Sequence, residues 1–167
     1  MKNRFLFLII GLMASLVSCK KAKTYSVEPS LTFKDLVKIT NSQGVDESAD
    51  LTISFIDGDG DIGLAESDTM PPYNPESIYY YDFFINFFIK HNGVFEPYPL
   101  VIPASQRIPY INHGGKDRSL TGDIIMHLDF IGFQFNNDTL RFETYIYDRA
   151  LHKSNTVTTS EIILKTQ

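Results

Sequence analysis

From Tyr79 to Lys90 every odd-numbered residue is apolar (Tyr79, Tyr81, Phe83, Ile85, Phe87, Ile89), while the even positions mix rings with Asp82, Asn86 and Lys90. A period of two is the signature of a strand with one buried face, and no helical stripe of useful length follows residue 30. The same parity links Phe33, Val37 and Ile39, with Asp35 interrupting, and then Leu51, Ile53 and Phe55. His91-Asn92-Gly93 offers a tight turn, because Asn-Gly accepts positive φ at both central positions. The return from Val94 to Ile102 carries Pro97 and Pro99, with Pro103 just beyond, and so belongs at an edge. Further strands are expected over Asp123 to Phe135, from Leu140 to Ile146 after a turn at Asn136 to Thr139, and over Thr156 to Leu164. A loop rich in Gly, Lys and Ser is expected from Asn112 to Thr121, and another from Arg149 to Asn155. About seven strands separated by turn signals predict an all-β fold, a single antiparallel sandwich.

Composition narrows the function. The 167 residues carry a net charge of −5, which gives no basic face for a nucleic-acid backbone. One Cys excludes an internal disulfide framework and any multi-cysteine metal site. With 43% hydrophobic residues the chain has enough apolar surface for one core.

The N-terminus has a different character. Lys2 and Arg4 precede an apolar stretch from Phe5 to Val17, too short to span a bilayer and built like a secretory signal. It ends in Leu16-Val17-Ser18-Cys19, which resembles a bacterial lipobox. That resemblance implies cleavage before Cys19 and a diacylglycerol on its thiol, with acyl chains such as palmitate holding the protein to a membrane. Residues 1–18 would then be a signal peptide, 19–30 the lipidated Cys and a polar tether, and 31–167 the sandwich. Losing Lys2 and Arg4 takes the net charge from −5 to −7. Lys20 at the second mature position, where Asp would retain such proteins in the inner membrane, points to the outer membrane and leaves the leaflet open.

Three further segments, Ile53 to Gly63, Leu120-Thr121-Gly122-Asp123-Ile124 and Tyr147-Asp148-Arg149-Ala150 with Ser154-Asn155, join the lipobox in resembling small Ig-like or fibronectin-like lipoproteins of Bacteroidota. The resemblance implies an Ig-like β-sandwich and no assigned activity.

Within the first of these segments Asp57, Asp59 and Asp61 alternate with Gly58 and Gly60. On an extended chain the outer two carboxylates would start about 13 Å apart, too far to share an ion. Glycines allow the loop to curl. Three converging carboxylates then raise one another's pKa or take a cation, and Ca²⁺ suits oxygen ligands in irregular geometry. The spacing matches positions 1, 3 and 5 of an EF-hand loop, with Asp68 at 12, but Ile62 stands where Gly is required and helical flanks are missing. Calcium and a solvated turn therefore stand as the two readings. In an Ig-like sandwich the loop before the last strand lies at the same end. It would bring Asp148 as a fourth carboxylate or Arg149 as an internal counter-ion, close to where the tether joins.

The even face of the long strand carries Tyr80, Phe84 and Phe88, which could contact a glycan or another envelope protein. The four histidines share no metal-ligand spacing. No nucleophile elbow, zinc-protease helix or phosphate loop occurs. Asp68-Thr69-Met70 and Asp138-Thr139-Leu140, both in expected loops, resemble a short O-glycosylation motif. The sequence thus predicts a lipid-anchored cell-envelope protein, a non-enzymatic accessory or interaction module rigidified by calcium at Asp57 to Asp61. The alternative is a glycan-binding or glycan-processing envelope lipoprotein that uses the Tyr80, Phe84 and Phe88 face.

Overall fold

The computed structural model describes residues 25–111 and 119–167. Cys19, His113 and most of the expected Asn112 to Thr121 loop lie outside the described residues. Eight strands follow in chain order: β1 (Ser30–Thr40), β2 (Asp46–Asp57), β3 (Phe83–His91), β4 (Val94–Tyr98), β5 (Leu120–Asp129), β6 (Asn136–Ile146), β7 (Val157–Thr158) and β8 (Ile162–Lys165). One sheet has the order β1-β2-β5; the other has β4-β3-β6-β7, with β8 also pairing β6, and all these pairings are antiparallel. This strand order is that of an immunoglobulin-type sandwich.

The core is where the period-two faces meet. Leu51 opposes Met126 and Ile53 opposes Ile124 across β2 and β5, while Phe87 opposes Phe142 across β3 and β6. All six are buried. The rings of Phe87 and Phe142 meet edge to face at 4.6 Å between centroids, a favoured aromatic geometry. Asn92 and Gly93 adopt φ of 50° and 82° and close the β3–β4 hairpin as expected. β4 lies at the sheet edge, and Pro97 within it removes a ladder donor where no further strand follows.

β4 ends at Tyr98 rather than Ile102, and β5 begins at Leu120, inside the expected loop, rather than at Asp123. Three further boundaries differ from the expectation. The long strand starts at Phe83 rather than Tyr79. Asp82 turns its carboxylate inward to accept the Ile108 amide, Phe83 exchanges amide bonds with Gln106, and Tyr79 and Tyr80 fold back onto Ser77. The β5–β6 turn occupies residues 130–135, with the Asp129 carboxylate accepting the Ile131 amide and Gly132 at φ 85°. Asn136 to Thr139 is instead the start of β6, where the positive φ of Asn137 makes a register shift and not a reversal. Thr139 therefore pairs with Ile163 on a strand, while Thr69 does lie in a loop. The closing strand is split into β7 and β8, because Thr159 bends in to accept the Phe142 amide on its hydroxyl and donate its own amide to the Phe142 carbonyl. That split takes the count from seven to eight.

Candidate functional site

The inward parity of β2 runs Leu51, Ile53, Phe55 and then Asp57, and that of β6 runs Leu140, Phe142, Thr144 and Ile146, with Asp148 next in phase. Two core faces thus end in carboxylates at the same end of the sandwich. Asp57 is fully buried and Asp148 is 2% exposed. Both lie where the folded chain strongly disfavours an unpaired carboxylate.

After Asp57 the chain curls. The Asp61 amide donates to Asp57 Oδ2 at 2.9 Å, and Gly60 takes φ 71°, a conformation that a side chain resists. The loop after β6 is closed in the same way: the His152 amide donates to Asp148 Oδ1 at 2.7 Å, and His152 Nδ1 lies 2.8 Å from Asp148 Oδ2. The two loops are joined by the Arg149 amide, which donates to the Asp61 carbonyl at 3.2 Å. One carboxylate oxygen each from Asp57, Asp59, Asp61 and Asp148 then lies within 4.8 Å of the others. The extended-chain separation of about 13 Å has been closed by the curl.

Hydrogen bonding is incomplete on the side of the cluster that matters. Among the described residues, Oδ1 of Asp57, Asp59 and Asp61 is buried and accepts no hydrogen bond. Buried acceptors in native proteins are nearly always satisfied. Burial, reinforced by the neighbouring Asp59 carboxylate, pushes the Asp57 carboxyl up to about 7. Burial and the Asp148 charge push Asp61 up to about 6. Burial raises Asp148 as well, against the hydrogen bonds from His152. The hydrogen bond to Asp148 raises His152 in turn.

Arg149 does not neutralise this cluster. Its guanidinium pairs with Asp68 at 2.5 Å and lies over the Tyr110 ring, and its carbonyl accepts the Tyr73 hydroxyl. The Arg149 hydrogen bond holds the Asp68 carboxyl below its usual range. Asp68 also caps the Ala65 amide, so the residue at the EF-hand's twelfth position belongs to a different contact. Ile62, at the sixth, is fully buried in the core.

The donor set is chemically selective. Four carboxylates in an irregular loop pair suit a hard cation with flexible coordination such as Ca²⁺. Zinc prefers nitrogen and sulfur ligands, and the four atoms that converge here are all carboxylate oxygens. Asp57, Asp59 and Asp61 were legible as a group, and Asp148 followed from the topology. His152 was missed; its spacing of four residues from Asp148 within one loop was the available signal. His91 and His127 face Glu96 and Asp50, away from the cluster.

The aromatic face is not the one expected. Tyr80 precedes β3 and packs on Tyr81 and under Arg107, apart from Phe84 and Phe88. Phe84 stacks on Tyr145 at 4.9 Å and meets Tyr147 edge-on, and Phe88 lies beneath the Arg141 guanidinium.

No protein-family model, curated protein or solved structure matches this chain.

Proposed function

We propose that this protein is a lipid-anchored component of the cell envelope, a non-enzymatic accessory or interaction module whose tether-proximal end is stiffened by one Ca²⁺ held by Asp57, Asp59, Asp61 and Asp148. The observation that carries the metal reading is the set of three buried carboxylate oxygens without donors beside a fourth carboxylate. A solvated turn would leave those oxygens to water, and an internal counter-ion would have been Arg149, which is committed to Asp68. One divalent cation also returns the charge of the processed chain from −7 to −5. The lipid anchor rests on the sequence around Cys19, and the outer membrane on Lys20.

A glycan-contact role draws less support, since Tyr80 is off the face and the rings of Phe84 and Phe88 are each occupied on one side.

Calorimetric titration of the protein with CaCl₂, paired with thermal melts in calcium and in chelator, tests the metal. At a hundredfold excess over Kd, calcium is expected to add about 2.7 kcal/mol of stability, a rise in Tm of roughly 5–10 °C for a chain of this size. No heat and no shift in Tm would end the metal reading. Loss of membrane fractionation in Cys19→Ala tests the anchor.

A further inference from the structure

Hydrogen bonding along β3 alternates between its two neighbours, and on one side the ladder skips a rung. The Asp82 carbonyl accepts the Tyr147 amide, and in the same register Phe84, Asn86 and Phe88 turn their backbone groups to β6. Phe83, Ile85 and Phe87 therefore turn theirs to the opposite edge. There Phe83 exchanges both bonds with Gln106, and Phe87 pairs with Tyr98 at the end of β4. Between these two pairs the chain leaves the sheet through Pro99 and Pro103, and among the described residues nothing bonds the N–H or the C=O of Ile85. Ile85 is 4% exposed, and a buried backbone pair left open is rare.

A cavity of about 420 Å³ opens on this gap, walled by Phe88, Tyr98, Leu100 and three prolines, and no charged side chain lines it. Phe83 and Phe87 lie about 13 Å apart along β3, which leaves room for one missing rung and too little for a strand that runs through. The protein shows elsewhere what completes such a rung. Asn155 Oδ1 accepts the Leu31 amide at 2.8 Å, and its Nδ2 donates to the Leu31 carbonyl at 3.0 Å, so one carboxamide satisfies both groups of one strand residue. The Gln106 carboxamide does not do this for Ile85, because its Nε2 donates to the His127 carbonyl at 3.3 Å. We propose that the Ile85 gap is a binding site for a side-chain carboxamide, a glutamine or asparagine of a partner protein that enters end-on, accepts the Ile85 N–H and donates to the Ile85 C=O. A carboxylate could accept the N–H but has no proton for the carbonyl, and the uncharged walls offer its charge no counter-ion. A trans peptide group points its N–H and C=O in opposite directions and cannot meet both.

NMR titration of the isotope-labelled protein with three capped peptides tests the site: acetyl-Leu-Gln-Leu N-methylamide and its counterparts with Glu or Met at the centre. The glutamine peptide is expected to shift the Ile85 amide while the Phe83 and Phe87 amides, already bonded, move little, and to bind roughly tenfold or more tightly than the other two. Ser105→Phe adds bulk to the cavity wall and should weaken that binding about tenfold. Equal binding of the glutamine and methionine peptides would reduce the cavity to an apolar contact and overturn the carboxamide assignment. An Ile85 amide unmoved by about 10 mM of every peptide would mean that the gap holds solvent only, and would overturn the site. The wild-type comparison decides by itself should Ser105→Phe not fold, and calcium heat, measured separately, is indifferent to each of these results.

Discussion

Asp46 and Asp57 stand at the two ends of β2, both buried, and the protein treats them in opposite ways. Asp46 is completed from within: Thr40 Oγ1 donates at 2.6 Å, the Lys165 amide at 2.8 Å and Lys38 Nζ at 3.0 Å. Burial would raise its pKa, but these donors outweigh it and hold the carboxyl below its usual value. Asp57 receives one amide and then faces three more carboxylates. The same residue type, at similar depth on one strand, is closed at one end and left open at the other. A buried carboxylate in this fold can be satisfied by the chain, so the incompleteness at Asp57 is a property of that end and not of the sandwich.

The largest effect that would sharpen this contrast comes from the closed end. Asp46→Ala strands the Lys165 amide and takes an acceptor from Thr40 and from Lys38, which keeps the Ile163 carbonyl, and should destabilise the protein by about 2 kcal/mol, as for a buried donor left unsatisfied. Urea unfolding with and without calcium should give the same loss in both. A calcium-dependent loss would mean that the two ends are coupled through β2.

Next in size is the opposite sign at Asp57. In EGTA at pH 7.5, Asp57→Asn keeps an acceptor for the Asp61 amide and removes one repelling charge, so it should stabilise by about 1 kcal/mol while abolishing the calcium-induced rise in Tm. The pH profile carries the same sign. Asp57 and Asp61 are raised from 3.8 to about 7 and about 6 in the ion-free protein, so the folded state holds protons that the unfolded chain has released. Ion-free stability should therefore fall as pH climbs from about 4 to about 7. Asp82, also pushed up to about 7 by burial, adds to that fall and is left in place by Asp57→Asn, so the variant should flatten the slope without removing it. Asp46 has the reverse dependence: its contribution is present above the usual carboxylate value and is lost as pH drops below it. Melts in EGTA from pH 4 to 8 that show no fall would contradict the description of the open end.

How much of this was readable in advance divides along the same line. Strand parity exposed the inward faces of β2 and β6, and Asn92-Gly93 marked its hairpin, because both are local and repeat along the chain. The start of β3 was hidden, since Tyr79 and Tyr81 keep the alternation while Asp82 turns inward to a distant amide at Ile108. The β5–β6 turn was displaced because Phe130, Phe133 and Phe135 read as strand but pack around the reversal. At the site, the Asp-Gly spacing and the strand topology placed all four carboxylates. What they could not decide was the direction of Arg149, which depends on Asp68 and Tyr73 in a loop with no periodicity.

The smallest expected effect concerns His152, the residue that the spacing did not single out. Its ring touches Asp148 and not the other three carboxylates, so it acts by orienting one ligand and by carrying a charge of its own. At pH 8 the ring donates to Asp148 and orients it, and His152→Ala should weaken calcium binding by roughly tenfold, the low end of what is lost with supporting partners of metal ligands. Toward pH 6 the ring charges, because Asp148 raises its pKa, and a cation already sits beside the cluster. Calcium must then compete with that charge, so wild-type affinity should fall with acid. In His152→Ala part of this fall should disappear, and the two proteins should converge in affinity near pH 6. Calorimetry at both pH values separates the two roles: a constant ratio of affinities would leave orientation alone, and no difference at pH 8 would remove His152 from the site. Asp46 has no such partner, since its carboxylate is met by the Lys38 ammonium at 3.0 Å. One end of β2 is thus finished by a lysine ammonium, and the other ends among four converging carboxylates with an imidazole on one of them.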